Sequence, residues 1–229
     1  MKAISRRKFL HIFSWLSFAW PLSVVAASSS ENKLEKNISL PTTVAVLRAA
    51  FEAEMLASEN YVAYCRKAGE EKYLNIAYLF KAFSVSEKIH AENYKRILAA
   101  LSVAPEAPEF KISVLDTKTN LINAAEGELK KIQKTYPDFL AKLKNESYAQ
   151  AIISCMYSWK SHQQHEQKIN EIRRYSDMFF GSVAQKIEGA KFDFYVCEIC
   201  GSTIDEAPET PCHICNYPIL HYHKIIRPV

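Results

Sequence analysis

Glycine is scarce in this chain, with 5 among 229 residues. So few cannot supply the turns of a β-rich fold, and the shortage favours helices. A basic surface patch is also missing. The formal net charge is +4, but Lys2, Arg6, Arg7 and Lys8 account for all of it, and residues 1–27 hold no acid. Without that segment the charge is 0, so the positive balance gives no support to nucleic-acid binding. The apolar run over residues 12–27 is interrupted by Pro21 and is short for a membrane-spanning helix, which needs about 20 apolar residues. The length suits one substantial domain plus a small one.

Ser5-Arg6-Arg7-Lys8-Phe9-Leu10 precedes the apolar run, and Val25-Ala26-Ala27 ends it. The pattern is similar to a twin-arginine export signal with a cleavage site. A general secretory signal and an uncleaved anchor are the alternatives. The expectation is a signal peptide over 1–27, a tether over 28–40, and a mature protein in the periplasm or another extracytoplasmic space, free of the membrane. Twin-arginine export carries folded proteins, which suits a chain that takes up its cofactor before leaving the cytoplasm.

The rest of the chain has helical periodicity. Over about residues 42–68, Leu47, Phe51, Glu54, Ser58, Tyr61 and Cys65 share a face, and Gly69 is placed to end the helix. Over about 72–101 the stripe is Ile76, Phe80, Phe83, Glu87, His90, Tyr94, Ile97 and Leu101. Residues 102–115 contain Pro105 and Pro108, lack a helical period and are long enough to cross a bundle. Asp116 or Thr117 can cap a third helix running to about 135, with Leu121, Ala125, Glu128 and Ile132 on one face. Tyr136-Pro137-Asp138 is the expected break. A long fourth helix over about 138–180 aligns Tyr148, Ala151, Cys155, Ser158, His162, His165, Ile169, Ile172 and Phe179. Gly181 and Gly189 bracket an expected linker over 182–191. Four amphipathic helices with one long crossover predict an all-α ferritin-like bundle over 41–181.

These apolar stripes carry six ionisable residues: Glu54, Glu87, His90, Glu128, His162 and His165. Unpaired buried charge is costly, so the six groups need partners. Glu87 and His90 are three apart and can face one metal ion. Di-iron carboxylate bundles place single Glu residues on two helices and Glu-x-x-His on the other two. Here the single acids are Glu54 and Glu128, and the pairs are Glu87-x-x-His90 and His162-x-x-His165. A shared cation would compensate the cluster; a satisfied polar core is the alternative.

Near the C-terminus, Cys197-Glu198-Ile199-Cys200 and Cys212-His213-Ile214-Cys215 are separated by eleven residues. Paired C-x-x-C knuckles form a tetrathiolate site for zinc or iron. Zinc would make a domain over 192–229 structural, and iron would make it a one-electron carrier. Disulfides are the alternative in an oxidising compartment. Phe192, Phe194, Tyr195, Tyr217 and Tyr222 suit a small sheet packed around the metal. Cys65 and Cys155 lie on apolar helix faces and read as small buried hydrophobes.

Taken together, residues 47–228 resemble rubrerythrin, a ferritin-like di-iron bundle followed by a rubredoxin-like domain. Ala50-Phe51-Glu52-Ala53-Glu54, Glu87-Lys88-Ile89-His90-Ala91, Gly127-Glu128, Tyr136-Pro137-Asp138-Phe139 and His165-Glu166 carry the resemblance, with the four cysteines and Gly201. It implies an iron oxidoreductase that reduces hydrogen peroxide, with electrons from an unidentified redox donor entering at the four-cysteine iron. It implies metal ligation by Glu54, Glu87, His90, Glu128, His165, Cys197, Cys200, Cys212 and Cys215. Tyr61 and Tyr136 match tyrosines near the metals. It further implies a homodimer in which the four-cysteine centre of one chain serves the bundle of the other. Two positions depart from the family pattern. Lys131 stands where a second Glu of the third helix is expected, and His162 where the fourth helix carries a bridging Glu. A bundle so altered binds one metal, binds two in changed geometry, or is partly vestigial. An electron-carrier or zinc-ribbon binding protein, or a ferritin-like iron store, are the competing readings.

Overall fold

The structure, a computed structural model, describes residues 39–106 and 108–228, and within the last helix it describes the backbone but not the side chains of residues 170–187. The expected signal peptide and most of the tether lie outside the described residues, as do the side chains of Ile172 and Phe179. Helix α1 spans Pro41–Glu70 and α2 spans Leu74–Ala100. The connection after α2 leads to α3 (Thr117–Lys130), a π-helical turn (Lys131–Thr135) and α4 (Tyr136–Leu143). Helix α5 (Ala149–Glu188) completes the bundle. Strands β1 (Tyr195–Cys197), β2 (Thr203–Ile204) and β3 (Tyr222–Lys224) form an antiparallel sheet in the order β2-β1-β3. Among the described residues, no helix is long and apolar enough to cross a membrane.

Three boundaries differ from expectation. The third helix does not break at Tyr136-Pro137. The π-helical turn seats Pro137 in the first turn of α4, where its missing N–H costs nothing. The break comes later, where Ser147 takes a left-handed φ of 51° and its N–H reaches the Leu143 carbonyl. The expected fourth helix is therefore split into α4 and α5. At its other end α5 passes through Gly181 to Glu188, so most of the expected linker is helical. A single glycine costs a helix only about 1 kcal/mol. At the end of α1, Lys72 rather than Gly69 adopts the left-handed conformation, with φ 65°.

Helices α1 and α2 lack a side-chain cap of their own. Carboxylates from distant segments take that role, accepting from the free N–H groups at the positive helix ends. Glu146 accepts from Thr42 and Thr43 N–H at 2.9 and 2.7 Å. Glu188 accepts from Asn75 N–H at 2.8 Å and Ile76 N–H at 3.3 Å. Glu71 accepts from Thr117 N–H at 2.9 Å, while Asp116 caps α3 from within. Each long-range cap ties the end of one bundle element to the start of another.

The core has two apolar layers. One is built on Phe80, Phe83, Tyr78, Ile76, Leu121 and Ile169. The other is built on Leu47, Phe51, Tyr94, Leu98, Tyr136 and Leu143. Along α1, α2, α3 and α5 the six ionisable residues fall between these layers, and all six are fully buried. Cys65 and Cys155 are buried in the apolar layers as expected. The small sheet docks on the bundle through Tyr78, whose hydroxyl donates to the Ile225 carbonyl at 2.6 Å and accepts from Phe194 N–H at 3.0 Å.

Loss of water pushes the Glu146 carboxyl up, but the Thr43 and Thr42 donors outweigh this and bring it down to about 2. A depressed carboxyl stabilises the fold above its unfolded pKa and loses that contribution as pH falls through the folded value. Glu146→Gln should lower the melting temperature at pH 7. Its deficit against the parent chain should shrink from about pH 4.5 towards pH 2. Melting curves recorded across that range check this, and a deficit that stays constant would contradict it.

Candidate metal centre

Six helical elements aim side chains at one buried point. Helix α1 supplies Glu54 and Tyr61, α2 supplies Glu87 and His90, and α5 supplies His162 and His165. Helix α3 supplies Glu128, the π-helical turn supplies Lys131, and α4 supplies Tyr136. In a regular α-helix, five residues would turn Tyr136 about 140° away from Lys131. The wider π turn brings both back to the same side. Nothing in the periodicity of the sequence announces that turn; the only local sign is Pro137 inside a continuing helical pattern.

The three carboxylates are engaged unequally. Glu54 Oε1 accepts from the Tyr136 hydroxyl and from His162 Nε2 at 3.1 Å, and its Oε2 accepts from Lys131 Nζ at 2.6 Å. Glu128 Oε1 accepts from the Tyr61 hydroxyl at 2.5 Å, and its Oε2 lies 2.7 Å from His162 Nδ1. Glu87 Oε2 lies 2.9 Å from His90 Nδ1. Glu87 Oε1 has no hydrogen-bond partner, although Lys131 Nζ and His165 Nδ1 are each 3.4 Å away and His162 Nδ1 is 3.6 Å away. His165 Nδ1 likewise lacks a hydrogen bond.

These two unsatisfied buried atoms point to a cation. Ligand atoms at about 2.1 Å from a tetrahedral metal ion are about 3.4 Å from one another. Glu87, Glu128, His162 and His165 offer one ligand atom each, all within 4.8 Å of one another, and Glu54, Glu87, His90 and His162 form an overlapping second set. The outer nitrogens are held as metal-binding imidazoles require. His165 Nε2 is 3.2 Å from the Thr203 hydroxyl, which itself donates to the Gly201 carbonyl. Thr203 must therefore accept from Nε2–H, which leaves Nδ1 as a lone pair facing the site. His90 Nε2 donates to the Cys200 carbonyl at 3.0 Å, so its Nδ1 also faces inward.

The electrostatics follow from burial. Burial and the Lys131 ammonium push the His162 imidazole down, but the carboxylates of Glu87, Glu54 and Glu128 outweigh them and raise it to about 10. Burial likewise opposes charge on Lys131, and Glu54, Glu87 and Glu128 override it, holding the ammonium above its ordinary range. Burial raises Glu87, yet Lys131 and His162 hold it well below the usual carboxylate range. Tyr61 and Tyr136 are raised by burial and by the adjacent carboxylates, so both stay protonated donors.

The four cysteines converge on a second buried point. Cys197 Sγ is 3.7 Å from Cys215 Sγ, and Cys200 Sγ is 3.5 Å from Cys212 Sγ. A disulfide would need about 2.05 Å. Thiolates at about 2.3 Å from a tetrahedral metal would be about 3.8 Å apart, so the set fits one ion.

The two centres meet within one chain. The Cys200 carbonyl accepts from His90, and the Gly201 carbonyl accepts from Ser86 Oγ at 2.6 Å and Ser161 Oγ at 2.9 Å. Asn93 Nδ2 donates to the Ile199 carbonyl at 2.9 Å. Within the chain, the segment that follows α5 runs back along α2 from Tyr78 to Asn93 and sets the cysteine knuckle against the bundle. Ser86, Ser161, Thr203 and Asn93 were not expected as site residues. The signal available was that Ser86 and Ser161 immediately precede Glu87 and His162.

Gly201 has φ 77°, and a Cβ there would lie 2.3 Å from His90 Nε2 and 2.9 Å from Ser86 Oγ. Gly201→Ala should destabilise the chain by about 1–3 kcal/mol in thermal unfolding. Gly127→Ala, in α3 with nothing within 4 Å of the added carbon, should be neutral or stabilising by up to about 1 kcal/mol. Equal effects would show that the close approach at Gly201 is not real.

A rubrerythrin family model matches residues 45–172. Rubrerythrin-2 of Clostridium acetobutylicum is 29% identical over 183 residues, covering 76% of this chain and 91% of the relative. Nigerythrin of Nitratidesulfovibrio vulgaris is 27% identical, covering 77% of this chain and 83% of the relative. A solved structure of nigerythrin in a mixed-valence state superposes with a TM-score of 0.69 at 25% identity, covering 81% of this chain and 88% of that one. A bacterioferritin from Desulfovibrio desulfuricans shares the bundle fold, with a TM-score of 0.60 at 21% identity, over 65% of this chain and 87% of that one. With the fold, the two metal-type clusters and these matches in agreement, the chain belongs to the rubrerythrin family of non-haem iron oxidoreductases, which carry a di-iron bundle site and iron or zinc at a four-cysteine site.

Proposed function

We propose that this chain is an exported rubrerythrin-type peroxidase that reduces hydrogen peroxide to water. One peroxide takes up two electrons and two protons, its O–O bond breaks, and two waters leave. An iron held by Cys197, Cys200, Cys212 and Cys215 would supply one-electron transfer, taking electrons from a separate redox donor and standing beside the bundle of the same chain. The observation that carries this reading is His90, whose Nε2 donates to the carbonyl of the ligand-type residue Cys200 and whose Nδ1 faces Glu87. Nigerythrin, a relative with solved structures in mixed-valence and all-ferrous states, supports iron as the metal that supplies the redox chemistry.

The chain's own groups serve the substrate. A cavity of about 260 Å³ opens between α1 and α3 and is lined by Asn60, Tyr61, Tyr64, Gly127, Glu128 and Lys131. It gives a small oxidant a route to Glu128 and Lys131 of the bundle cluster. The Tyr61 and Tyr136 hydroxyls donate to Glu128 and Glu54, and each would redirect its one O–H from the carboxylate to a peroxide oxygen when substrate arrives. Glu54, Glu87, His90, Glu128, His162 and His165 provide the ligand set of the bundle, in which Lys131 and His162 are departures from the family pattern. The Ser5-Arg6-Arg7-Lys8-Phe9-Leu10 segment supports twin-arginine export to the periplasm, with residues 1–27 removed.

A second reading has the cysteine domain acting as an electron carrier or zinc-ribbon binding module beside a degenerate bundle. The Lys131 ammonium lodged on Glu54 at 2.6 Å favours it. Anaerobically reduced protein mixed with peroxide in a stopped-flow instrument separates the two. The peroxidase reading expects fast peroxide loss, slowed about 10–100-fold in His90→Ala. Equal rates in both proteins would overturn it.

A further inference from the structure

We propose that the Lys131 ammonium takes the place of one cation in the bundle, so that the site holds a single metal ion, on Glu87, Glu128, His162 and His165, instead of a pair. The inference rests on the reading of the bundle as a metal site and assigns its nuclearity. The two candidate ligand sets overlap, sharing Glu87 and His162. They differ in what already occupies their lone pairs. In the set containing Glu54, both Glu54 oxygens are taken by protein donors, namely Tyr136, His162 and Lys131. Lys131 Nζ is 2.6 Å from Glu54 and 3.4 Å from Glu87, a charge-assisted contact directed at the lone pairs an ion would need. In the other set no ammonium takes a lone pair by hydrogen bond: Glu128 Oε2 and His162 Nδ1 face each other at 2.7 Å, and Glu87 Oε1 and His165 Nδ1 have no hydrogen-bond partner.

Charge balance favours one ion over two. Glu54, Glu87 and Glu128 are buried carboxylates. One ammonium and one divalent ion neutralise them with all three histidines uncharged. A second divalent ion would leave a buried excess of two positive charges, which the low-dielectric interior penalises heavily. Lys131 reaches the cluster from the start of the π-helical turn, so the same backbone irregularity that turns Tyr136 inward follows the residue that supplies the cation.

The test is a titration of the purified full-length chain with Mn(II), an ion suited to carboxylate oxygens over thiolates, read by metal analysis and electron paramagnetic resonance. One tightly held Mn(II) per chain with the spectrum of an isolated ion is expected. Lys131→Glu, which removes the ammonium and adds a carboxylate, should take up a second Mn(II) and show a spin-coupled pair. A coupled pair in the parent chain, no tightly held Mn(II) there, or a Lys131→Glu chain that still holds one ion would each overturn the proposal. If Lys131→Glu does not fold, the parent count decides alone. Peroxide turnover does not enter this count, so failure of the peroxidase reading and failure of the single-ion site are separable.

Discussion

Three carboxylates buried inside a helical bundle are the constraint to which the rest of the molecule responds. Glu54, Glu87 and Glu128 are fully buried between two apolar layers. Each must be compensated in place, since an isolated buried charge would unfold a marginally stable domain. The chain answers with Lys131, three histidines and two tyrosine hydroxyls, drawn from five elements. This explains why the third helix tolerates a π-helical turn. A regular helix would point Tyr136 away and leave Glu54 short of a donor. The irregularity is stabilised by the polar cluster and in turn completes it.

The second organising contact is the approach of the cysteine knuckle to the bundle. Gly201, left-handed and without a Cβ, lets the Cys200 and Gly201 carbonyls come within hydrogen-bond range of His90, Ser86 and Ser161. Thr203 continues the contact to His165. The outer nitrogens of two bundle histidines are thus oriented by the small domain, so the second centre fixes the tautomers of the first. The two clusters behave as one polar unit spanning the domain boundary. Lys168, paired with Asp205 at 2.7 Å, holds the rim of that boundary.

Much of this was legible in the sequence because burial imposes a period. Glu54, Glu87, His90, Glu128, His162 and His165 sit on apolar stripes at helical spacing, and all six converge as their positions require. The cysteine knuckles were legible for a different reason, since C-x-x-C spacing alone closes a four-sulfur site. What the sequence hid depends on contacts between distant segments. Glu146 and Glu188 cap helices roughly a hundred residues away, which no local pattern reveals. The π-helical turn converts an expected break at Pro137 into a continuous inward face, and the actual break at Ser147 has no glycine or proline to mark it. Continuation of α5 through Gly181 reflects tertiary demand overriding a weak local breaker. The packing of the cysteine centre on its own bundle is likewise a property of the folded path.

The claim that the two centres work as one intramolecular unit is tested most directly by the kinetics of the cysteine centre itself. The reduced, iron-loaded chain would be mixed with excess peroxide at several protein concentrations, following the thiolate-to-iron absorption. The account predicts reoxidation at a first-order rate that does not change with protein concentration. A rate proportional to protein concentration would show that electrons pass between chains. A centre that stays reduced while peroxide is consumed would show that the contact through Cys200 and His90 carries no electrons.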